Sequence, residues 1–276
     1  MSKLSIITAT RSRPNLLANA IISLEAQTCQ DFEWIVFNDG GNVLTRDLIK
    51  DRQLNFKHTY IDLVCPDSGF SLCYARSQGL TLAAGEIVTY LDDDNTFKSN
   101  FVEETIAFFD RHPQINYVMP IQQRRRDVIQ NGKIIKRGKE FYSPTGNCTI
   151  DELLTHKQLV DSNGFSHRQD DRLRWNPNLK IYIDYEFLLQ CVSYWKRESF
   201  SVNPNILVDY IQTNQGVIGS SSYDDWAKEL EYLLAHRSDY SCLLSDEVSA
   251  IANLATRYRS QALTNKRISA FEEVNS

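Results

Sequence analysis

The stretch "EIVTYLDDDNTF" (residues 86–97) decides how the rest of the chain is read. An apolar run, Ile87 to Leu91, leads directly into three carboxylates, Asp92, Asp93 and Asp94. Adjacent like charges repel, and carboxylates at the end of a buried strand carry a desolvation cost. Something has to compensate. Either water and backbone amides solvate an ordinary acidic turn, or a cation is held there.

Upstream of this stretch the chain alternates strand and helix. "LSIIT" (4–8) is apolar and β-branched, and Pro14 opens a helix expected to carry Leu16, Leu17, Ala20, Ile21 and Leu24 on one face. "EWIVFND" (33–39) stops at Asn38-Asp39-Gly40-Gly41, a strong turn signal. "FKHTYIDL" (56–63) reads as a third strand, and a helix from Leu72 to Ala84 ends at Gly85. After the acidic triplet, a helix capped by Ser99 runs to Arg111, with Glu103 and Glu104 near its start. Near-continuous apolar strands alternating with helices predict a Rossmann-like, mostly parallel α/β sheet covered on both faces. Ligands of such sheets bind at the carboxyl ends of strands. Three of those ends are polar here: Thr8-Ala9-Thr10-Arg11, Asn38-Asp39 and Asp92–Asp94. On one edge of one sheet they converge.

The second half reads differently. "YVMPIQQ" (117–123) is expected as a strand leaving the parallel region, and "VIQNGKII" (128–135) as a hairpin around Asn131-Gly132. Helices are predicted over 149–160 and 184–195, and a strand near 200–211 is expected to rejoin the sheet. From Tyr223 onward the pattern is helical, with Trp226, Leu230, Leu233 and Leu234 as a stripe. These readings divide the chain into 1–215, with a nucleotide-binding part to about 120 and an acceptor-binding part beyond it, and a helical extension over 216–276.

Thirty Lys and Arg against 35 Asp and Glu give a formal charge of −5, which argues against a general nucleic-acid binder. A local basic run (Arg124, Arg125, Arg126, Lys133, Lys136, Arg137, Lys139) reads first as a solvated hairpin and second as an anion- or membrane-facing patch. The six cysteines show no C-x-x-C pair or zinc-like grouping, so free thiols in a reducing compartment are expected. A strand begins within a few residues of Met1 and no apolar stretch reaches membrane-spanning length. The expectation is a soluble, cytoplasmic protein with room only for peripheral membrane contact.

Four stretches stand in order: "TATRSRPNLLANAIISLEAQT" (8–28), "DFEWIVFNDGG" (31–41), "YARSQGLTLAAGEIVTYLDDDNTF" (74–97) and "IDYEFLLQC" (183–191). Together they resemble the inverting, nucleotide-sugar-dependent glycosyltransferases of family 2, which have the GT-A fold. The resemblance implies a UDP- or GDP-sugar donor, a hydroxyl acceptor on a glycan or lipid-linked glycan, and Mn²⁺ or Mg²⁺. It implies that Asp92-x-Asp94 holds the metal, Asp94 most directly, with Asp93 beside it. It also implies that Asp39 meets the base, that Thr8, Ala9, Thr10 and Arg11 line the nucleotide, and that Arg76 supports it. Asp184 takes the place of the family's catalytic base, following "NGF" (163–165), with Ile183 where the family has Glu. Asp170 and Asp171 are rivals for that role, and capping of the following helix is the plain alternative for Asp184. Two other readings stay open: a nucleotidyltransferase of similar architecture, disfavoured by the lack of glycine in "TATRSRP", and a nucleotide-sugar-binding protein without catalysis.

Overall fold

The computed structural model describes residues 2–131 and 133–264. The first half is built of β1 (Leu4–Thr10), α1 (Pro14–Glu25), β2 (Phe32–Asp39), α2 (Val43–Asp51), β3 (Lys57–Leu63), α3 (Ser71–Leu82) and β4 (Ile87–Tyr90). The short β5 (Thr96–Phe97) and α4 (Phe101–Arg111) follow. Strands β3, β2, β1 and β4 lie side by side and parallel, in register from Leu4 opposite Phe32 to Thr10 opposite Asn38. The expected parallel sheet is therefore present, and its three polar strand ends do meet on one edge.

Side chains alternate across this sheet as the two-residue period requires. Ile6, Trp34 and Val36 pack with α1 and α4 on one face. Ile7, Ile35, Phe37 and Tyr90 pack on the other, with residues of α3 and of later helices.

The remaining elements are β6 (Tyr117–Gln130), β7 (Lys133–Lys136), β8 (Phe141–Ser143), α5 (Ile150–Leu154), β9 (Ser166–Arg168), α6 (Ile183–Trp195), β10 (Phe200–Thr213), α7 (Val217–Ser220), α8 (Tyr223–Ala235) and α9 (Ser245–Thr264). Strand β6 lies beyond the run of four parallel strands, as expected, and continues the same sheet. The three-residue β9 bridges β4 and β6 antiparallel to both, and β10 pairs parallel to β6. So short a connecting strand, "SHR", has no hydrophobic alternation to announce it. Strands β6 and β7 form the expected hairpin, whose Gly132 lies outside the described residues. The helical pattern beyond residue 264 also lies outside them.

Two local readings are corrected. The helix expected over 149–160 is only Ile150–Leu154: a Thr149/Glu152 capping box starts it, and His156 at φ +58° ends it. The cap of α4 is Asn100, not Ser99, and its side chain makes no capping bond. Instead Gln27 on the neighbouring segment accepts the Val102 N–H at 3.0 Å, a tertiary contact that no local signal encodes. Leu230 and Leu233 of α8 and Ile251 and Ala255 of α9 join the core beneath α6, so the C-terminal helices close one flank of the main body.

Candidate active site

The acidic triplet ends β4 with its three side chains in different surroundings. Asp93 is fully buried, takes a 2.6 Å hydrogen bond from the Thr10 hydroxyl and lies 2.6 Å from the Arg13 guanidinium. Arg13 also donates to Asp94 at 3.0 Å. Asn95 fixes Asp94 from the other side, donating to it at 3.1 Å while accepting the Ile211 N–H of β10 at 2.8 Å. Asp92 receives Arg76 at 2.7 Å and Asn163 at 2.9 Å, and its own N–H donates to the Asn163 side chain at 2.7 Å. Two guanidiniums thus supply much of the compensation that the sequence demanded.

Gly164 makes the Asn163 clamp feasible. Its φ is +77°, and a Cβ there would come within 2.6 Å of Val208, so only glycine fits the turn. Its N–H donates to the Tyr90 carbonyl, locking the segment onto the end of β4.

Asp184, in the first turn of α6, lines the same cavity of about 790 Å³ as the triplet. The cap of α6 is Tyr182, so Asp184 does not cap the helix. Arg76 donates to Asp184 at 3.2 Å with one arm while holding Asp92 with the other. The Arg76 guanidinium is 2% exposed and stacks 4.3 Å from the Trp175 ring centre. Asp184 keeps 23% of its side chain open toward the cavity. Its rivals are placed elsewhere: Asp170 is tied to Arg172, and neither Asp170 nor Asp171 lines the cavity. Glu186 faces the core and meets the Tyr240 hydroxyl.

The electrostatics separate these carboxylates. Burial would raise Asp92, but Arg76 and Asn163 hold it below its ordinary value. Burial raises Asp184 to about 7 against the pull of Arg76. Burial and the neighbouring Asp92 raise Asp94 to about 6 although Arg13 is beside it. Burial likewise lifts Asp93 to about 7.

Among the described residues no three His, Cys, Asp or Glu side chains are grouped to hold a metal ion by themselves. Asp92 and Asp94 nevertheless both line the cavity. A hard divalent ion typically takes one or two carboxylates, with phosphate oxygens and water completing its shell. This oxygen-only pair fits Mn²⁺ or Mg²⁺ arriving with a diphosphate.

Of the expected nucleotide-side residues, Ala9, Thr10, Arg11, Asp39, Arg76, Asp92, Asp94 and Asp184 line the one cavity. Thr8 and Asp93 do not. The Thr8 hydroxyl accepts the Trp34 indole N–H at 2.9 Å inside the core, and Asp93 is spent on Thr10 and Arg13. Asp39 lies 3.7 Å from Arg11. Asn38, where the family carries an acid, is buried against Tyr60 and Asp62 and holds the turn. Sequence reasoning missed Arg13, Asn163 and Asp161, which accepts from Gln122 and Asn163. The "NGF" segment marked the place of Asn163 but not its contact with Asp92.

With this geometry in place, the comparisons can be stated. Residues 5–196 match the Glycosyl transferase family 2 model. The chain belongs to that family. A family match of this kind sets aside the nucleotidyltransferase reading. A teichoic acid poly(glycerol phosphate) polymerase of Staphylococcus epidermidis is 25% identical over 200 residues, 70% of this chain and 26% of that protein. An uncharacterized glycosyltransferase of Haemophilus influenzae is 24% identical over 203 residues, covering 70% of this chain and 72% of that one. The chain spans about a quarter of the length of the first curated relatives it matches. Among solved structures, S. aureus TarS 1-349 in complex with UDP has a TM-score of 0.67 at 17% identity, covering 95% of this chain and 73% of that one. The mannosyltransferase PcManGT from Pyrobaculum calidifontis, in complex with GDP-Man and Mn²⁺, has a TM-score of 0.58 at 10% identity, with 99% and 78% covered. These two likenesses show the shared fold. No helix among the described residues is long and apolar enough to cross a membrane.

Proposed function

We propose that this glycosyltransferase-family protein moves a sugar from a UDP- or GDP-sugar to an acceptor hydroxyl, with inversion at the anomeric carbon. One observation carries the reading: Asp92 and Asp184 line one cavity and are bridged by a single guanidinium, Arg76, at 2.7 and 3.2 Å. The related structures with UDP, UDP-GlcNAc and GDP-Man support a nucleotide-sugar donor. In this reading Asp39 and Arg11 border the base, and Thr10, Arg13 and Arg76 border the diphosphate.

Asp184 serves as general base. The acceptor oxygen attacks the anomeric carbon, its bond to the diphosphate breaks, and the acceptor proton passes to an Asp184 oxygen. A base works best with a pKa near the operating pH, and burial places Asp184 at about 7. Arg76 orients that carboxylate and, through Asp92, ties it to the donor end. Asp94 and Asp92 would hold Mn²⁺ or Mg²⁺, which when bound supplies charge neutralisation for the departing diphosphate. The six free cysteines, four of them buried, suit a reducing cytoplasmic setting. In the same proposal residues 1–215 are the transferase body and the helices after it close the acceptor side.

The test is hydrolysis of a panel of UDP- and GDP-sugars with Mn²⁺ and no acceptor. Slow donor cleavage that Asp184→Asn lowers is expected. Donor binding with no cleavage under any condition would leave a binding protein instead.

A further inference from the structure

The basic run singled out in the sequence is divided by the pleat of β6. Arg125 pairs with Asp127 on one face, while Arg124 and Arg126 share the other and line the cavity. Their partners differ. Arg124 faces Asp161 at 3.8 Å, donates to Gln122 and covers the Tyr210 ring at 4.0 Å. Arg126 makes no ion pair among the described residues: Gln212 accepts from it at 2.9 Å and it covers the Phe141 ring. Burial and the adjacent Arg124 both push the Arg126 pKa down, as happens to a cation with no counter-charge.

A charge inventory of the cavity wall extends the point. It carries Asp39, Asp92, Asp94, Asp161 and Asp184, and each of these is within ion-pair range of Arg11, Arg13, Arg76 or Arg124. Arg126, Lys180 and Arg257 also line the cavity and make no ion pair among the described residues, Asp225 of α8 acting on Lys180 only through its longer-range field. Glu229 of α8 is occupied by the backbone N–H groups of residues 180, 181 and 182 at 2.8–2.9 Å. Trp226 also lines the cavity, and its buried indole N–H has no hydrogen-bond partner among the described residues. Guanidinium, ammonium and indole N–H can donate but cannot accept. In a chain of net charge −5, cations left unpaired in the cavity wall select a ligand that brings negative charge and acceptor oxygens.

We propose that this wall is the acceptor subsite and that the acceptor is a phosphate-bearing hydroxyl compound. Arg126 holds its phosphate, and Lys180 and Arg257 supply the surrounding positive field. The inference rests on the transferase reading for the word acceptor, but the anion site can be measured without catalysis. sn-Glycerol 3-phosphate and glycerol are titrated by calorimetry into the full chain saturated with UDP or GDP and Mn²⁺. Glycerol 3-phosphate should bind and glycerol should not. Arg126→Gln should weaken glycerol 3-phosphate about tenfold, the loss of one charge-assisted hydrogen bond, and leave nucleotide affinity unchanged. Arg257→Gln, at an exposed position on α9, should weaken it a few-fold with the fold undisturbed. Absence of glycerol 3-phosphate binding to the parent protein would overturn the proposal. So would equal losses of nucleotide and glycerol 3-phosphate in Arg126→Gln, which would assign Arg126 to the donor diphosphate. Donor hydrolysis without acceptor reports on the transferase reading separately, so either can fail while the other stands.

Discussion

The two ends of the cavity solve opposite electrostatic problems. At the strand-end side, carboxylates are packed closely and each is met by a guanidinium, with Arg13 between Asp93 and Asp94 and Arg76 between Asp92 and Asp184. Elsewhere in the cavity lining, Arg126, Lys180 and Arg257 make no ion pair among the described residues. The first end is pre-paired, so a ligand there must compete with or join an existing network. The second is unpaired, so a ligand there supplies the missing charge. A paired end resists change and fixes geometry; an unpaired end leaves charge available for recognition.

The strongest way to break this contrast is to remove the buried cation. Arg76→Gln strands Asp92 and Asp184 without their shared partner, and losing one member of a buried pair costs about 3–5 kcal/mol. Denaturant unfolding should show a loss toward the lower end of that range, because both carboxylates keep about a quarter of their side-chain surface exposed. A change below about 1 kcal/mol would mean that the two acids are held by something other than Arg76.

Next in size is the base. Asp184→Asn should leave nucleotide binding intact and lower kcat by at least about a hundredfold. In the parent protein kcat should fall as pH drops through about 7, because protonated Asp184 cannot accept the acceptor proton. One unit below that pKa only about a tenth of the molecules retain the base form. Near-normal turnover in Asp184→Asn, or a flat acid limb in the parent, would remove the assignment.

Asp94→Ala sharpens the paired end. With Mn²⁺ present, nucleoside diphosphate affinity should drop about tenfold, and EDTA should then make no further difference. Calorimetry that finds both treatments without effect on the unaltered affinity would leave Arg13 as the only cation this triplet uses. The smallest effect is expected at Asp39. Asp39→Asn should weaken the nucleotide a few-fold and leave pyrophosphate with Mn²⁺ unchanged. Equal losses would make Asp39 a turn residue before Gly40 and Gly41.

Much of the paired end was legible in the chain. Apolar runs that stop abruptly at Asp39 and at Asp92 announce parallel strands and polar ends, because a strand buried on both faces cannot carry charge until it emerges. The spacing of "IDYEF" put Asp184 at a helix start. Asn163 was less visible, since its role depends on Gly164 turning the chain back onto Tyr90, some seventy residues earlier. Arg13 was hidden for a similar reason: it is one exposed-looking arginine of a Pro-bounded loop until the fold brings β4 alongside β1.

Sequence alone determined the elements whose signal is local: the parallel strands, α1, α6, the hairpin of β6 and β7, and the carboxylates at the strand ends. Hydrophobic period and turn chemistry act over a few residues, so they survive in one dimension. Tertiary structure alone decided the short helix over 150–154, the three-residue β9 that continues the sheet, and the Gln27 contact at the start of α4. It also decided which carboxylate met which arginine. Some of those pairings join residues far apart in the chain, Arg13 with Asp94 across 81 positions and Arg76 with Asp184 across 108. An ion pair depends on distance in space and on burial, and neither is written in the spacing of residues along the chain.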